Sequence, residues 1–252
     1  MIHKYGRLAI GAASVFLLTW AQAFAGEFTV NPIRLDMGPT TRSAAVTVIN
    51  EGKEKLTFQL QAMDWVQDAA GKDQYSETND LIFFPKIMSV EPGQEAIARV
   101  GLKAGATASE RTFRLFIEEL PGIVKAPENN TAQINFLIRF GLPIFVAPIQ
   151  PRDGLSIEEL ALKNGVISIA ARNTGNRHQM FKIIRLGGSD AAGKRIYALD
   201  IADRYLLASS LKSYTATLPA GQCREIAVLD VEIQTDKVTE TRKLDVSRAM
   251  CP

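Results

Sequence analysis

The chain has 252 residues, 46% of them hydrophobic and 22% charged, with 29 basic against 27 acidic side chains and a formal net charge of +2. Lys4 and Arg7 are the only charged residues among the first 25, so the remainder carries equal numbers of each sign. That balance excludes bulk attraction to nucleic acid or an anionic membrane, and any positive site must be local. The length suits one large or two ordinary domains.

The opening residues read as a secretory signal. Lys4 and Arg7 give a positive start, residues 8–20 form a short apolar core, and Ala23-Phe24-Ala25 offers a small-residue cleavage site. Roughly thirteen apolar residues fall short of the ~20 that a membrane-spanning helix needs. The expectation is therefore a cleaved signal over 1–25 and a mature chain beginning near Gly26. In an oxidising compartment, Cys223 and Cys251 read as one disulfide rather than two reduced thiols.

Beyond the signal, helical periodicity is hard to find. "AAVTVIN" (44–50) and "LTFQLQAMDW" (56–65) alternate apolar with polar residues across the turn "NEGK". "LIFFPKIMSVEPGQEAIARVGL" holds extended runs broken by Pro85 and the Pro92-Gly93 turn, and "TFRLFIEEL" (112–120) follows. "TAQINFLIRFGLPIFVAP" (131–148) is the most apolar extended stretch. Ile134, Phe136 and Ile138 recur every second position, yet the segment further on is apolar on both faces, with Arg139 and Pro143 as its interruptions. A strand of this kind must be covered by something or it will aggregate.

"APIQPRDG" (147–154) reads as a short linker, after which the strand pattern restarts. Asn164-Gly165 between alternating runs is a strong hairpin signal, and "QMFKIIRLGG", "RIYALDI", "SYTATLP" and "CREIAVLDVEI" continue as extended segments. The fold class is all-β, with two immunoglobulin-like sandwiches. The expected divisions are a signal at 1–25, a first domain at 26–148 and a second at 149–252.

Catalytic, metal and cofactor signals are missing from the sequence. His178 is the one histidine after the signal and reads as structural, no serine sits in a G-x-S-x-G elbow, and two cysteines 28 apart make no zinc spacing. "GGSDAAGKR" fits most of a phosphate-binding loop, but Arg195 replaces the Ser or Thr that would hold magnesium, and a hairpin turn is the better reading. The chain is not expected to be an enzyme.

"FTVNPIRLDM", "VTVIN", "AMDW", "FFPKIMSVEPGQEAIARV", "ERTFRLFIEELP" and "QINFLIRFGLPIFVAP" follow one another in an order that resembles the fimbrial (pilus) periplasmic chaperones of the chaperone–usher pathway. The ending "RFGLPIFVAP" looks more like the non-classical, archaic branch. The resemblance covers the whole chain after the signal, more closely at 27–148. It implies a periplasmic protein with a cleft between its two domains, binding pilin subunits and passing them to an outer-membrane usher. It also implies that the last strand of the first domain is lent to a subunit lacking its own, the donor-strand mode of strand addition. Ile134, Phe136 and Ile138 are then the donor row.

A basic pair in the cleft of that family holds the subunit's terminal carboxylate. Arg34, on the first strand among Ile33, Leu35 and Met37, matches the first partner. The family's usual lysine would fall near Pro143, which has no charge. Arg114, on the opposite face from Phe113, Leu115 and Ile117, is the chosen replacement, with Arg139 in reserve. Self-association of the client-free chain is one way to cover the apolar strand. The competing reading is a structural pilus subunit or adhesin, against which stands the absence of a donor extension ahead of "EFTVNPIRLDM".

Overall fold

The computed structural model describes residues 28–103, 105–122 and 136–252. The signal segment 1–25 and Ile134 lie outside them.

The strands before the linker are β1 (Phe28–Asn31), β2 (Leu35–Met37), β3 (Ser43–Asn50), β4 (Leu56–Gln67), β5 (Asp73–Glu77), β6 (Leu81–Phe84), β7 (Ile87–Val90), β8 (Glu95–Leu102), β9 (Arg111–Glu119) and β10 (Arg139–Val146). They form two facing sheets, one ordered β1-β3-β8-β6 and the other β2-β10-β9-β4-β5, with β7 also on β4. Period-two alternation explains the pairing of the faces. In β9, Phe113, Leu115 and Ile117 are buried between the sheets, while Arg114 and Phe116 point outward. Val46, Val48, Phe58, Val100, Leu142 and Ile144 complete that core. Each such side chain contributes about 1.5–3 kcal/mol by leaving water.

"FTVNPIRLDM" is not one strand. Pro32 has no N–H to give a ladder, and the chain changes sheets there: β1 pairs β3, while β2 runs parallel to β10. Arg34 therefore sits in the bend just before β2, with Leu35 and Met37 buried and Ile33 exposed.

After the connection 147–154 come β11 (Leu155–Lys163), β12 (Val166–Asn173), β13 (Gln179–Ser189), β14 (Arg195–Ile201), β15 (Tyr205–Leu206), β16 (Leu211–Thr217), a short helix α1 (Ala220–Glu225), β17 (Val228–Thr235) and β18 (Thr239–Asp245). The sheets are β11-β12-β16 and β14-β13-β17-β18, with β15 on β13. Between them lies a second core that includes Ile167, Ile169, Ile184, Leu186, Leu229, Val231 and Ile233. Asn164 and Gly165 take φ values of 49° and 75° in the β11–β12 turn, as a two-residue primed hairpin requires. Residues 190–194 form the tight connection between β13 and β14.

One segment differs from its expected state. The alternation predicts an extended run from Cys223, but Cys223 lies in α1, and β17 starts only at Val228. Pro219 precedes the helix with φ −57°, its carbonyl accepts from the Cys223 amide at 3.0 Å, and the helix buries Cys223 fully, where a disulfide joins it to Cys251. Covalent and packing constraints override the weak alternation there.

The two halves also share a device. Asn50 ends β3 and Asn173 ends β12, both fully buried. Asn50 Nδ2 donates to the carbonyls of Glu54 and Val90, and its Oδ1 accepts from the Gly52 amide. Asn173 repeats this with Arg177, Leu206 and Gly175. Each amide satisfies a turn that would otherwise bury unpaired backbone groups.

Candidate functional site

The outward face of the β2-β10-β9-β4-β5 sheet turns toward the second half of the chain and meets it in a seam. Phe145, one residue beyond the core-facing Ile144, stacks on His178 with ring centroids 3.5 Å apart, and Trp65, Tyr205 and Leu207 close around it. His178 is held from the other side by Glu110, whose carboxylate oxygens lie 2.9 and 2.8 Å from Nδ1 and accept from the His178 amide at 2.6 Å. The Gln67 side chain donates to Tyr205 O and accepts from the Leu207 amide, both at 3.0 Å. This seam accounts for part of the two-faced apolar character read in 131–148. Beyond Leu142, the outward face is covered by the chain's own second half.

The seam positions two arginines. In the β9–β10 ladder, Pro143 stands opposite Arg114. In the parallel β2–β10 pair, Ile144 stands opposite Leu35, so Arg34, one residue earlier, comes beside Pro143. Adjacent strands are about 4.8 Å apart, which puts the two arginine backbones about 10 Å apart, on either side of a residue with no charge and no side-chain hydrogen bonds. Laterally paired residues share a face, so both side chains leave the sheet on the cleft side.

Arg114 is mostly buried, its side chain 13% exposed. Its guanidinium lies over the Trp65 ring at 3.9 Å, a cation–π contact, and Nη1 donates to Gly141 O at 3.0 Å. Nη2 lies 3.9 Å from Asp73 Oδ2, and Nε has no hydrogen-bond partner among the described residues. A buried, unsatisfied cationic donor is costly, and an incoming anion relieves that cost. Tyr75, beside Arg114 on the edge strand, packs edge-on against the Phe116 ring at 5.2 Å. Burial raises its phenol above the ordinary range, with Arg114 pulling the other way. Gly141 leaves room for the Phe116 ring, since a Cβ there would meet it at 3.1 Å.

Arg34 is more open. Nε pairs with Asp36 Oδ2 at 2.9 Å, and Nη1 reaches Met180 Sδ of the second half at 3.5 Å. Arg139 is on the same face but four residues from Pro143, about 13 Å along the strand. It pairs with Glu118 at 3.3 Å and lies over Phe116 at 3.9 Å. The fold thus brings Arg34 and Arg114 together and leaves Arg139 apart.

Of the expected donor row, Ile134 is outside the described residues. Phe136 is 85% exposed and its neighbour Leu137 51%. Ile138 is half-buried, and its carbonyl accepts from the Glu119 amide at 2.9 Å, extending the contact with β9 beyond the ladder. Phe136 and Ile138 share parity with Phe140, Leu142 and Ile144, so the core-facing row runs on past the end of its own core. Sequence reading missed Trp65, Asp36, Asp73 and Tyr75 as neighbours of the arginines. Their alternation showed a shared face, but not which strands lie side by side.

Two immunoglobulin-like sandwiches that meet along a seam define an all-β, two-domain protein. Residues 27–151 match the family described as "Pili and flagellar-assembly chaperone, PapD N-terminal domain", and the chain belongs to that family. It is a pilus-assembly chaperone. Among solved structures it is similar to the CsuC–CsuE chaperone–tip adhesion subunit pre-assembly complex from archaic chaperone–usher Csu pili of Acinetobacter baumannii, at 18% identity over 86% of this chain and 98% of that one, with a TM-score of 0.56. It is similar also to the YadV chaperone, at 14% identity, 87% and 100% coverage and TM-score 0.59. The CupB2 chaperone of Pseudomonas aeruginosa is a third, at 18%, 87% and 100%, with TM-score 0.52. No curated protein matches the chain by sequence.

Proposed function

We propose that this chaperone acts in the periplasm, capturing pilin subunits by donor-strand complementation and delivering them to an outer-membrane usher. In this reading residues 1–25 are an export signal, 26–148 the strand-lending domain and 149–252 the second wall of the cleft. Among the described residues no helix is long and apolar enough to cross a membrane. The observation that carries the reading is the row Arg34–Pro143–Arg114 at the foot of a strand whose other end exposes Phe136 and Leu137.

A subunit's terminal carboxylate between the two arginines fixes the register, and its last strand pairs along β10 toward residue 136. Successive apolar side chains from 134, 136 and 138 then enter the subunit's open core. Each charge-assisted hydrogen bond at the anchor contributes about 1.5–3 kcal/mol, and arginine can make two in parallel. The burial of Arg114 limits screening by salt.

The test is co-expression with a pilin subunit followed by purification from the periplasm. Arg34→Ala lowers recovery of the complex while the chaperone itself is exported at normal level. Phe136→Asp abolishes it with an unchanged circular dichroism spectrum, because the ring is exposed in the free chain. Wild-type recovery of pilin with either variant refutes the corresponding half of the proposal.

A further inference from the structure

Each cleft arginine already faces a carboxylate of its own chain. Arg34 Nε is 2.9 Å from Asp36, two residues on along the same face, and Arg114 Nη2 is 3.9 Å from Asp73 at the start of the edge strand β5. Asp36 is 57% exposed and has Arg34 as its hydrogen-bond partner among the described residues. Asp73 accepts from Gln67 at 3.1 Å and from the Tyr75 hydroxyl at 3.3 Å, so it is fixed in place beside Arg114. The two acids stand on strands β2 and β5, at opposite edges of the sheet, four strand spacings or about 19 Å apart.

We infer that Asp36 and Asp73 are internal placeholders, occupying the two anchoring arginines until a client's terminal carboxylate exchanges for them. This rests on the reading of the cleft as a carboxylate anchor. At Arg34 the exchange replaces one carboxylate–guanidinium hydrogen bond by another, and at Arg114 it trades a 3.9 Å charge contact for a hydrogen bond, so the anchor yields less than it would with both arginines free. A small free acid therefore gains little by entering. A ligand that also adds a strand along β10 recovers the difference through backbone pairing and apolar burial. The placeholders make the anchor a selector of register in an already pairing client, and they keep each guanidinium from capturing unrelated chain ends. The distances fit contacts that the guanidiniums can give up while the acids stay in place. One acid is over half exposed, and the other touches Arg114 by charge without a hydrogen bond.

The experiment measures binding of a fluorescein-labelled peptide of alternating valine and threonine, ending in a free carboxylate or in an amide, to the full mature chain. The variants are Asp36→Asn, Asp73→Asn and the double; asparagine keeps the acceptor that Gln67 uses. One pair is exposed and the other lacks a hydrogen bond, so each substitution tightens carboxylate binding by about two- to fivefold, and the double by more than either alone. The amide peptide shows no gain, and acetate competes with the peptide only in the double variant. Glu118→Gln, which removes an equal charge from the Arg139 pair, leaves affinity unchanged. Unchanged or weaker carboxylate binding in the Asp variants overturns the inference, as does an equal gain in Glu118→Gln, which would show bulk charge at work. A wild-type chain that cannot tell the carboxylate from the amide would instead overturn the anchor itself, and the placeholders with it.

Discussion

Phe145→Ala separates the job of the seam from that of the first core. Phe145 is 1% exposed, yet its contacts are Trp65, Tyr205 and the stacked His178, whereas its neighbours Leu142 and Ile144 fill the sandwich. Truncating a buried phenylalanine costs about 3–5 kcal/mol. Here that loss falls on the docking of the two halves. Three kcal/mol is more than a hundredfold in the docked-to-undocked ratio, and contacts between domains are weak enough for motion to follow. The assay is amide hydrogen exchange with small-angle scattering. The Glu110 amide, bonded to Asn176 O at 2.8 Å, and the His178 amide, bonded to Glu110, should lose protection. The amides of Leu115 and Ile117 should keep theirs, and the scattering envelope should broaden. Wild-type protection at both seam amides would refute the clamp. Lost protection at Leu115 and Ile117 would show that Phe145 supports its own sandwich instead.

Two further outcomes follow from the second half. Arg177 donates to both Asp153 oxygens at 2.7 Å and holds that carboxyl below the ordinary carboxylate range. Its stabilisation is therefore complete above the unfolded value near 3.9 and fades as pH falls through the depressed native value. A melting series from pH 7 to pH 2 should show a steeper acid loss for wild type than for Asp153→Asn, with the curves converging at the acid end; parallel curves would remove the linkage. The paired change Cys223→Ser with Cys251→Ser opens a loop of about 27 residues and should cost about 3–4 kcal/mol in the chain-entropy model. A guanidinium titration should show the loss in the second half and not the first, and an unchanged midpoint would count against it.

Much of the architecture was legible because strand alternation is local. "TFRLFIEEL" places Phe113, Leu115 and Ile117 on one face whatever they pack against, and Asn164-Gly165 specifies its turn by backbone conformation alone. The break at Pro32 was less legible, since the loss of one donor shows only that a ladder stops, not that the chain changes sheets. The helix at Ala220–Glu225 was hidden for a different reason. It is short and carries little periodicity, and its burial of Cys223 serves a bridge made 28 residues later.

The residue sequence on its own determined two sandwich-forming strand sets, a greasy strand near Phe136 and an arginine at position 34 set among apolar neighbours. Tertiary structure alone decided that Arg34 and Arg114 flank Pro143, that Arg139 stands apart, and that Phe145 belongs to a seam. The reason is that alternation assigns a side chain to a face, while register between strands distant in sequence is a property of the packed sheet. Arg34 and Arg114 lie 80 positions apart along the chain and become neighbours only because β10 comes between them.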